Sequence, residues 1–272
     1  MYQNMTIIET IQKRRSVRTY TGQPLINEHV AQINQFINRT NPPFAQKARI
    51  ELIQMNESAG SIKLGTYGWI NGASDYLALV SENSSFAETA AAYWFEELIL
   101  FCTSLGLGTC WLGGSFSRGD FKKQIDLKPN EKLKIVSPVG YPSDKKRWFL
   151  EKVVVNAEKN HATRKPFGEL FFEADFNRPL TEISAGVFDK PLEMVRLAPS
   201  ANNKQEWRAV KENNIIHFYK VPFLTFDSID IGIALCHFEL ACKELSINGK
   251  FEVLKEYPAH NKAEYVISWI SE

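Results

Sequence analysis

Hydrophobic positions predict helices and strands in a definite order along the first half of the chain. Apolar residues recur at helical spacing over residues 1–12 and again over 25–37, and Pro42 and Pro43 stop the second helix. A longer stretch, 88–105, is apolar on most faces, which is typical of a buried helix. Alternating or uninterrupted apolar runs predict strands at 48–55, 76–80 and 132–138.

The same order of elements starts again after Arg164. Its long helix is expected to end at Asn248-Gly249, because these residues readily adopt the left-handed conformation that terminates helices. The predicted elements are a helix at 191–197, hairpin strands at 207–210 and 215–220, the long helix at 230–245 and a strand at 266–269.

Two shifts of the sequence relate these halves. A shift of 150 positions lays residues 14–18 over 164–168. A shift of 140 positions places Leu100, Cys102, Leu105, Leu107 and Trp111 on Leu240, Cys242, Leu245, Ile247 and Phe251. The two matches occur in the same order and favour a duplicated unit, although two unrelated helices with ordinary core spacing would give the match at 140 equally well.

Composition and charge exclude several classes of protein. The 272 residues are 44% hydrophobic and 23% charged, which excludes a disordered or collagen-like chain. A net charge of +1 argues against a general nucleic-acid binder, which needs a basic excess. Residues 98–117 carry no charge, but their four glycines argue against a membrane span. With no signal-peptide pattern at the start, we expect a soluble, cytoplasmic protein without a membrane partner.

Cysteines and histidines give no indication of a metal site. The five histidines are scattered, and the cysteines form no CxxC pair. Reduced, buried thiols are therefore expected at Cys102, Cys110, Cys236 and Cys242.

Three segments are candidates for ligand binding. Residues 14–18 (Arg-Arg-Ser-Val-Arg) place three guanidinium groups beside a hydroxyl, which suits phosphate oxygens, although such a run taken alone is more often a solvated surface. Residues 199–207 form a polar loop whose amides suit the edge of a heterocycle or, equally, a capped turn. Residues 106–114 are rich in glycine and allow close approach to a flat ligand, but they lack the GxGxxG spacing of a Rossmann fold.

Together these segments resemble the nitroreductase family of flavoproteins. In that family an RRSxR motif holds the FMN phosphate, and a PSxxNxQPW-like loop contacts the isoalloxazine ring and the ribityl chain. A GLGTxW segment leads into a glycine loop over the ring, and a GYP turn with basic residues returns to the phosphate. The resemblance implies FMN binding by Arg14, Arg15, Ser16, Arg18, Asn71, Gly113, Gly114, Lys145, Arg147, Pro199, Ser200, Ala201, Asn203 and Gln205.

The resemblance also implies a fold. It is an α+β, nitroreductase-like three-layer fold with mainly antiparallel central sheets flanked by helices. Two similar halves, 1–160 and 161–272, are expected to lie in one chain and to share one intertwined core.

The order of the motifs departs from that of ordinary family members, which place the PSxxNxQPW-like loop soon after RRSxR. Here the loop follows Arg18 by about 180 residues, and the second copy of RRSxR has Pro166 and Gly168 where Ser16 and Arg18 stand. Typical members are intertwined homodimers that bind FMN between subunits. The resemblance therefore implies a monomer that acts as a pseudo-dimer and binds one FMN.

The implied activity is that of an enzyme that uses FMN and NADH or NADPH to reduce a nitroaromatic, a quinone or another small flat acceptor by ping-pong kinetics. No residue is required as a general acid or base, since solvent can supply the proton. Glu206 replaces the proline expected before Trp207, and it is predicted to pair with Arg208 or Lys204 or to influence substrate choice. The alternatives are a different reaction on this fold, such as dehalogenation or ene reduction, and a non-catalytic flavin-binding or ligand-binding protein.

Overall fold

The computed structural model describes residues 5–54, 65–144, 163–222 and 226–272. The chain divides into two compact units, Met1–Trp148 and Phe149–Glu272, here called unit 1 and unit 2. Each has a largely antiparallel sheet flanked by helices, so the predicted α+β class is confirmed. No helix in the described ranges is long and apolar enough to cross a membrane.

Unit 1 is built on a four-stranded sheet in the order β1-β2-β4-β3, with every neighbouring pair antiparallel. A capping box at Thr6 and Glu9 starts its first helix by satisfying backbone amides at the helix end. The elements of unit 1 are α1 (Ile7–Lys13), α2 (Asn27–Arg39), β1 (Ala48–Gln54), β2 (Asp75–Glu82), α3 (Ser85–Ser104), β3 (Gly108–Thr109), α4 (Arg118–Lys122) and β4 (Glu131–Gly140).

Helix α3 is buried along nearly its whole length. Because its sequence is apolar on most faces, exposure of these faces to water would be unfavourable. The sheet and the shorter helices of unit 1 cover them. The helix ends at Ser104, and Gly106 follows with a φ of 78°, a conformation that glycine adopts without a steric penalty. The chain then enters β3, so the stretch 98–117 is a buried helix, a glycine turn and a strand, as predicted.

Unit 2 has a five-stranded sheet in the order β5-β6-β7-β9-β8, in which β5 pairs with β6 in parallel and the other pairs are antiparallel. Trp207 and Trp269 lie in its core and are almost completely buried. The elements of unit 2 are α5 (Phe167–Leu170), β5 (Phe171–Glu173), α6 (Glu182–Ala185), α7 (Asp189–Leu197), β6 (Trp207–Glu212), β7 (Ile215–Lys220), α8 (Asp227–Glu244), β8 (Gly249–Glu252) and β9 (Glu264–Ser271), with 3-10 turns at Gly186–Phe188 and Ala201–Asn203.

The two sheets share a topology. In each, two hairpin strands precede a long buried helix, a short edge strand follows it, and the last strand pairs between the hairpin and that edge strand. The ends of the long helices also match at a shift of 140 positions. The amide of Leu107 donates to the carbonyl of Cys102 at 3.0 Å, and the amide of Ile247 donates to the carbonyl of Cys242 at 2.9 Å.

The predicted range of the second long helix, 230–245, ends within one residue of the observed helix, but the stop expected at Asn248-Gly249 is wrong. Helix α8 ends at Glu244, and the left-handed residue is Ser246, with a φ of 58°. Gly249 instead begins β8, where an added Cβ would lie 2.5 Å from the carbonyl oxygen of Ile270 on the paired strand. The glycine is thus needed for close strand packing, and it does not serve as a helix stop.

All four cysteines are free thiols and are buried, as the sequence indicated. Cys102 and Cys242 lie in the two long helices, and burial raises the pKa of the Cys102 thiol to about 12. These thiols therefore act as small apolar core residues.

Candidate functional site

The arginine segment of unit 1 is held against β3. Helix α1 ends at Lys13, and the chain continues in extended form so that Ser16 forms a parallel bridge with Thr109. The amide of Val17 donates to the carbonyl of Thr109 at 2.8 Å. A Cβ on Gly108 would lie 2.8 Å from three side-chain carbons of Val17, so glycine is required there for this close approach. The GLGT and RRSVR motifs, far apart in sequence, are thereby adjacent.

Asn71 lies beside the same segment. Its amide donates to the carbonyl of Arg18 at 3.0 Å, and its carbonyl accepts from the amide of Tyr20 at 2.9 Å. Asn71 is exposed to solvent. The structure therefore brings Asn71 to the arginine segment.

The Gly140-Tyr141-Pro142 turn lies next to the residues that follow the arginine segment. The amide of Thr21 donates to the carbonyl of Tyr141 at 3.0 Å, and the amide of Ser143 donates to the carbonyl of Thr19 at 2.9 Å. The turn therefore pairs with residues 19–21, which directly follow the arginine segment. Lys145 and Arg147, which were predicted to contribute charge there, lie outside the described residues.

Charges around the arginine segment are largely buried. Burial lowers the pKa of the Arg14 guanidinium, while the charge of Glu96 raises it in part. Burial raises the pKa of the Cys110 thiol, which the charge of Arg18 and a hydrogen bond from Ser16 lower in part. The Nε atom of Arg14 is buried and has no hydrogen-bond partner among the described residues. Arg15, by contrast, is exposed.

Glu96 was not singled out from the sequence. It lies in the middle of α3, is completely buried and accepts a hydrogen bond from the indole Nε1 of Trp111 at 2.7 Å. No sequence signal separates it from Glu88 and Glu97 of the same helix, because burial is not visible in a single sequence.

The glycine pair Gly113-Gly114 follows a bridge between Leu112 and Val136 at the sheet edge. The carbonyl of Gly113 accepts from Nη2 of Arg118 at 2.7 Å. Gly114 is exposed, and a Cβ added to it would meet nothing within 4 Å. Gly114 is therefore not required by packing within unit 1, and its open surface leaves room for a ligand.

In unit 2 the predicted loop 199–205 has an unusual backbone. Asn202, Asn203 and Gln205 have φ values of 50°, 57° and 53°, a region that costs residues other than glycine about 1–3 kcal/mol each. The Oγ atom of Ser200 accepts from the amide of Gln205 at 2.9 Å and closes the loop. Such strain persists only where neighbouring structure enforces it.

The amide side chains of the loop are used inside unit 2. Asn203 Oδ1 accepts from Nη1 of Arg164 at 3.1 Å, and its Nδ2 donates to the carbonyl of Thr163 at 2.8 Å. Gln205 Oε1 accepts from the amide of Lys165 at 2.8 Å, and its Nε2 donates to the carbonyl of Asn203 at 3.0 Å. Both side chains thus shape the loop, leaving Ser200, Ala201 and the exposed Asn202 as its outer groups.

Asp230 is a second residue that sequence reasoning missed. Its carboxylate lies in the first turn of α8, is 3% exposed and accepts from the amide of Ala201 at 3.0 and 3.1 Å. Burial raises the pKa of Asp230 to about 8. Acidic residues are common at helix starts, so the sequence gave no reason to separate this one from an ordinary cap.

Glu206 has a neighbouring cation that the sequence did not indicate. Its Oε1 lies 4.0 Å from Nζ of Lys165, whose pKa is lowered mainly by burial. The pKa of Arg208 is also lowered by burial and is partly restored by the charge of Glu206. Glu206 therefore balances two half-buried cations beside the loop.

Comparisons with known proteins place these motifs in context. A family model described as "Putative TM nitroreductase" matches residues 6–242. The chain is similar to a "putative nitroreductase" from Thermotoga maritima MSB8, with 20% identity and a TM-score of 0.61 over 99% of this chain and 95% of that one. No curated protein matches.

Two further solved structures match about half of this chain. An FMN-dependent nitroreductase from Clostridium difficile R20291 has 16% identity and a TM-score of 0.40, over 52% of this chain and 90% of that one. A "putative NADH oxidase" from Clostridium acetobutylicum has 23% identity and a TM-score of 0.40, over 53% of this chain and 96% of that one.

Proposed function

The chain belongs to the nitroreductase family, and we propose that it is an FMN-dependent oxidoreductase that uses NADH or NADPH to reduce a nitroaromatic, a quinone or a similar small flat acceptor. When bound, FMN would supply the redox chemistry. The residues of the chain bind and orient the ligands and control the local charge, and none is assigned as a general acid or base.

The Nε atom of Arg14, buried and without a hydrogen-bond partner in the described part of the chain, supports phosphate binding. A buried donor without an acceptor costs about 1–3 kcal/mol, and a phosphate dianion would remove that cost. Ser16 and Arg18 lie in the same extended segment, fixed by β3 on one side and by Asn71 on the other. This arrangement orients several donors before a ligand arrives, which lowers the entropic cost of binding.

We assign the contacts to the ring and the ribityl chain to the glycine pair Gly113-Gly114 and to the loop 199–205. The open surface of Gly114 supports the first assignment, because a flat ring can approach a backbone that carries no side chain. In the loop, Pro199, Ser200 and Ala201 are partly exposed and present a hydroxyl and backbone groups. Asn203 and Gln205 contribute by fixing the shape of the loop.

We further propose that one chain binds one FMN and acts as a monomeric pseudo-dimer of two halves, divided near residue 160. The matching sheet topologies and helix ends support a duplicated unit. Only residues 14–18 keep the complete RRSxR pattern, and only residues 199–205 keep the Ser and Asn pattern of the loop. Together these support one functional ligand set.

An absorbance spectrum of the purified protein, with flavin bands and one FMN per chain, is the first test. Arg14→Met and Arg18→Met should lower the affinity for FMN much more than the affinity for riboflavin, which lacks the phosphate. Arg39→Met, at the exposed end of α2, should change neither affinity. Protein that binds no flavin even after reconstitution contradicts the proposal, and two FMN per chain contradicts the pseudo-dimer. Sedimentation should give a monomer, and a stable dimer would overturn that part.

Activity is tested by anaerobic oxidation of NADH and NADPH with a panel of acceptors. Nitroaromatics and quinones should be reduced with parallel-line, ping-pong kinetics. Turnover only with halogenated aromatics or activated alkenes would assign a different reaction to the same fold. Bound flavin that NADH and NADPH both fail to reduce would make the protein a non-catalytic flavin binder.

A further inference from the structure

The segment 163–165 binds the loop 199–205 of the same unit at several points. Arg164 donates from Nη1 to the side chain of Asn203 and from Nη2 to the carbonyl of Leu197, each at 3.1 Å. The neighbouring residues add the bonds from Asn203 Nδ2 to the carbonyl of Thr163 and from the amide of Lys165 to Gln205 Oε1, each at 2.8 Å. One guanidinium group therefore joins the end of α7, just before the loop, to Asn203 within it.

The loop needs such support because of its backbone. Three residues other than glycine, Asn202, Asn203 and Gln205, are left-handed within four positions. Hydrogen bonds from a charged donor are stronger than those between neutral groups, so Arg164 is well suited to hold this conformation. From the opposite side, Asp230 fixes the amide of Ala201.

Arg164 stands where the shifted sequence places Arg14, yet its surroundings differ. In unit 1 the residues after Arg14 pair with β3 through Ser16 and Val17. In unit 2 the residue at the position of Ser16 is Pro166, which has no amide hydrogen and instead precedes the short helix α5. The segment therefore does not reproduce the extended pairing of unit 1, and the Arg164 side chain contacts the loop.

We propose that Arg164 is a positioning residue for flavin binding: it holds the loop 199–205 in its binding shape and does not bind the phosphate. This inference rests on the proposed function. Its consequence is that loss of Arg164 lowers the affinity for every ligand that contacts the loop, whether or not the ligand carries a phosphate.

The test compares Arg164→Met with Arg196→Met. Arg196 is an arginine of the same unit whose guanidinium pairs with Glu193 on its own helix, with Nε 2.6 Å from Oε2 and Nη2 2.7 Å from Oε1. FMN and riboflavin affinities are measured by quenching of flavin fluorescence. Hydrogen–deuterium exchange of residues 199–206 is measured in the flavin-free protein. Should Arg164→Met fail to fold, Arg164→Lys, which can keep only one of the two contacts, takes its place.

We expect Arg164→Met to weaken the affinities for FMN and riboflavin by the same factor, about tenfold or more because the charge-assisted hydrogen bonds to Asn203 and Leu197 are both lost, and to speed exchange in the loop. Arg196→Met should change neither quantity. Loss of FMN affinity alone would make Arg164 a phosphate ligand, and unchanged loop exchange would show that it does not position the loop. If the wild-type protein binds no flavin, the proposed function fails, and the exchange comparison still decides the role of Arg164.

Discussion

The indole nitrogen of Trp111 donates a hydrogen bond to the completely buried carboxylate of Glu96, with 2.7 Å between Nε1 and Oε2. The same carboxylate raises the pKa of the buried Arg14 guanidinium, so it links the GLGTxW segment to the arginine segment. Glu96 thus supplies the negative charge that makes a buried arginine tolerable before any phosphate binds.

Glu96→Gln should destabilise the flavin-free protein more than the FMN complex. Glutamine keeps an acceptor for Trp111 but removes a charge that favours the protonated Arg14, at a cost of about 1 kcal/mol in the free energy of unfolding. A bound phosphate would replace part of that charge, so the affinity for FMN should rise. Urea unfolding with and without FMN measures both effects, with Glu97→Gln, on the partly exposed side of the same helix, as the control. Equal losses with and without FMN would show that Glu96 and the phosphate do not act on the same arginine.

Asp230→Asn should remove a pH dependence of stability. The folded protein keeps the Asp230 proton up to a pKa of about 8, whereas the unfolded chain loses it near the ordinary value of about 4. The contribution of this group to stability is therefore complete at low pH and declines as the pH rises toward 8. We expect wild type to lose stability relative to Asp230→Asn between pH 5 and pH 8.

Urea midpoints across that pH range check the prediction for Asp230. Asp227→Asn is the matched control, because Asp227 lies in the same helical turn but pairs with Lys220 at 3.2 Å. Parallel curves for wild type and Asp230→Asn would mean that the carboxyl group of Asp230 titrates alike in the folded and unfolded states.

Gly108→Ala should displace the arginine segment. The new Cβ would lie 2.8 Å from Val17, so either the segment or β3 must move, at a cost of about 1–3 kcal/mol in stability. Because the displaced residues include the proposed phosphate ligands, the FMN content of the purified protein should fall. Gly119→Ala, where a Cβ meets nothing within 4 Å, controls for the added methyl group. Full FMN content in Gly108→Ala would separate the packing of Val17 from the binding of the phosphate.

Ser246→Gly should stabilise unit 2. Ser246 is exposed and left-handed, with a φ of 58°, in the turn that follows α8. Glycine adopts this conformation without a clash, and a gain of about 0.5–1 kcal/mol is expected. A higher melting temperature checks this. The reciprocal change, Gly106→Ser in the equivalent turn of unit 1, should lower the melting temperature, and two shifts of the same sign would contradict the explanation.

The long helices and the main strands were predictable because their signals are local. Helix α3 is apolar on most faces, and the strands β2 and β9 contain short apolar runs that bury on folding. Strand β5 was missed because it has three residues and exists through its parallel pairing with β6. The last residue of α8 was predicted to within one position, but its left-handed stop is Ser246 and not Asn248-Gly249, because serine does not signal that conformation in a sequence.

The candidate site was predictable in part for the same reason. Residues 14–18 were identified from their side chains, Asn71 and the GYP turn came only from the resemblance to the nitroreductase family, and the backbone brings all three together. The partners of Asn203 and Gln205 were not predictable, because Arg164 and Lys165 precede them by 39 and 40 positions and belong to a segment that had lost its motif. The roles of Glu96 and Asp230 depend on burial, which a single sequence does not report.

The left-handed loop at 202–205 has a consequence for protein design. Besides the hydrogen bonds within the loop, its shape depends on donors and acceptors outside it, namely Arg164, Thr163, Lys165 and Asp230. A heptapeptide with the sequence of residues 199–205, grafted alone onto another scaffold, should relax to an ordinary turn. A graft that keeps the shape has to carry the segment 163–165 and the first turn of α8 with it, so the transferable module is a three-part assembly and not a linear motif.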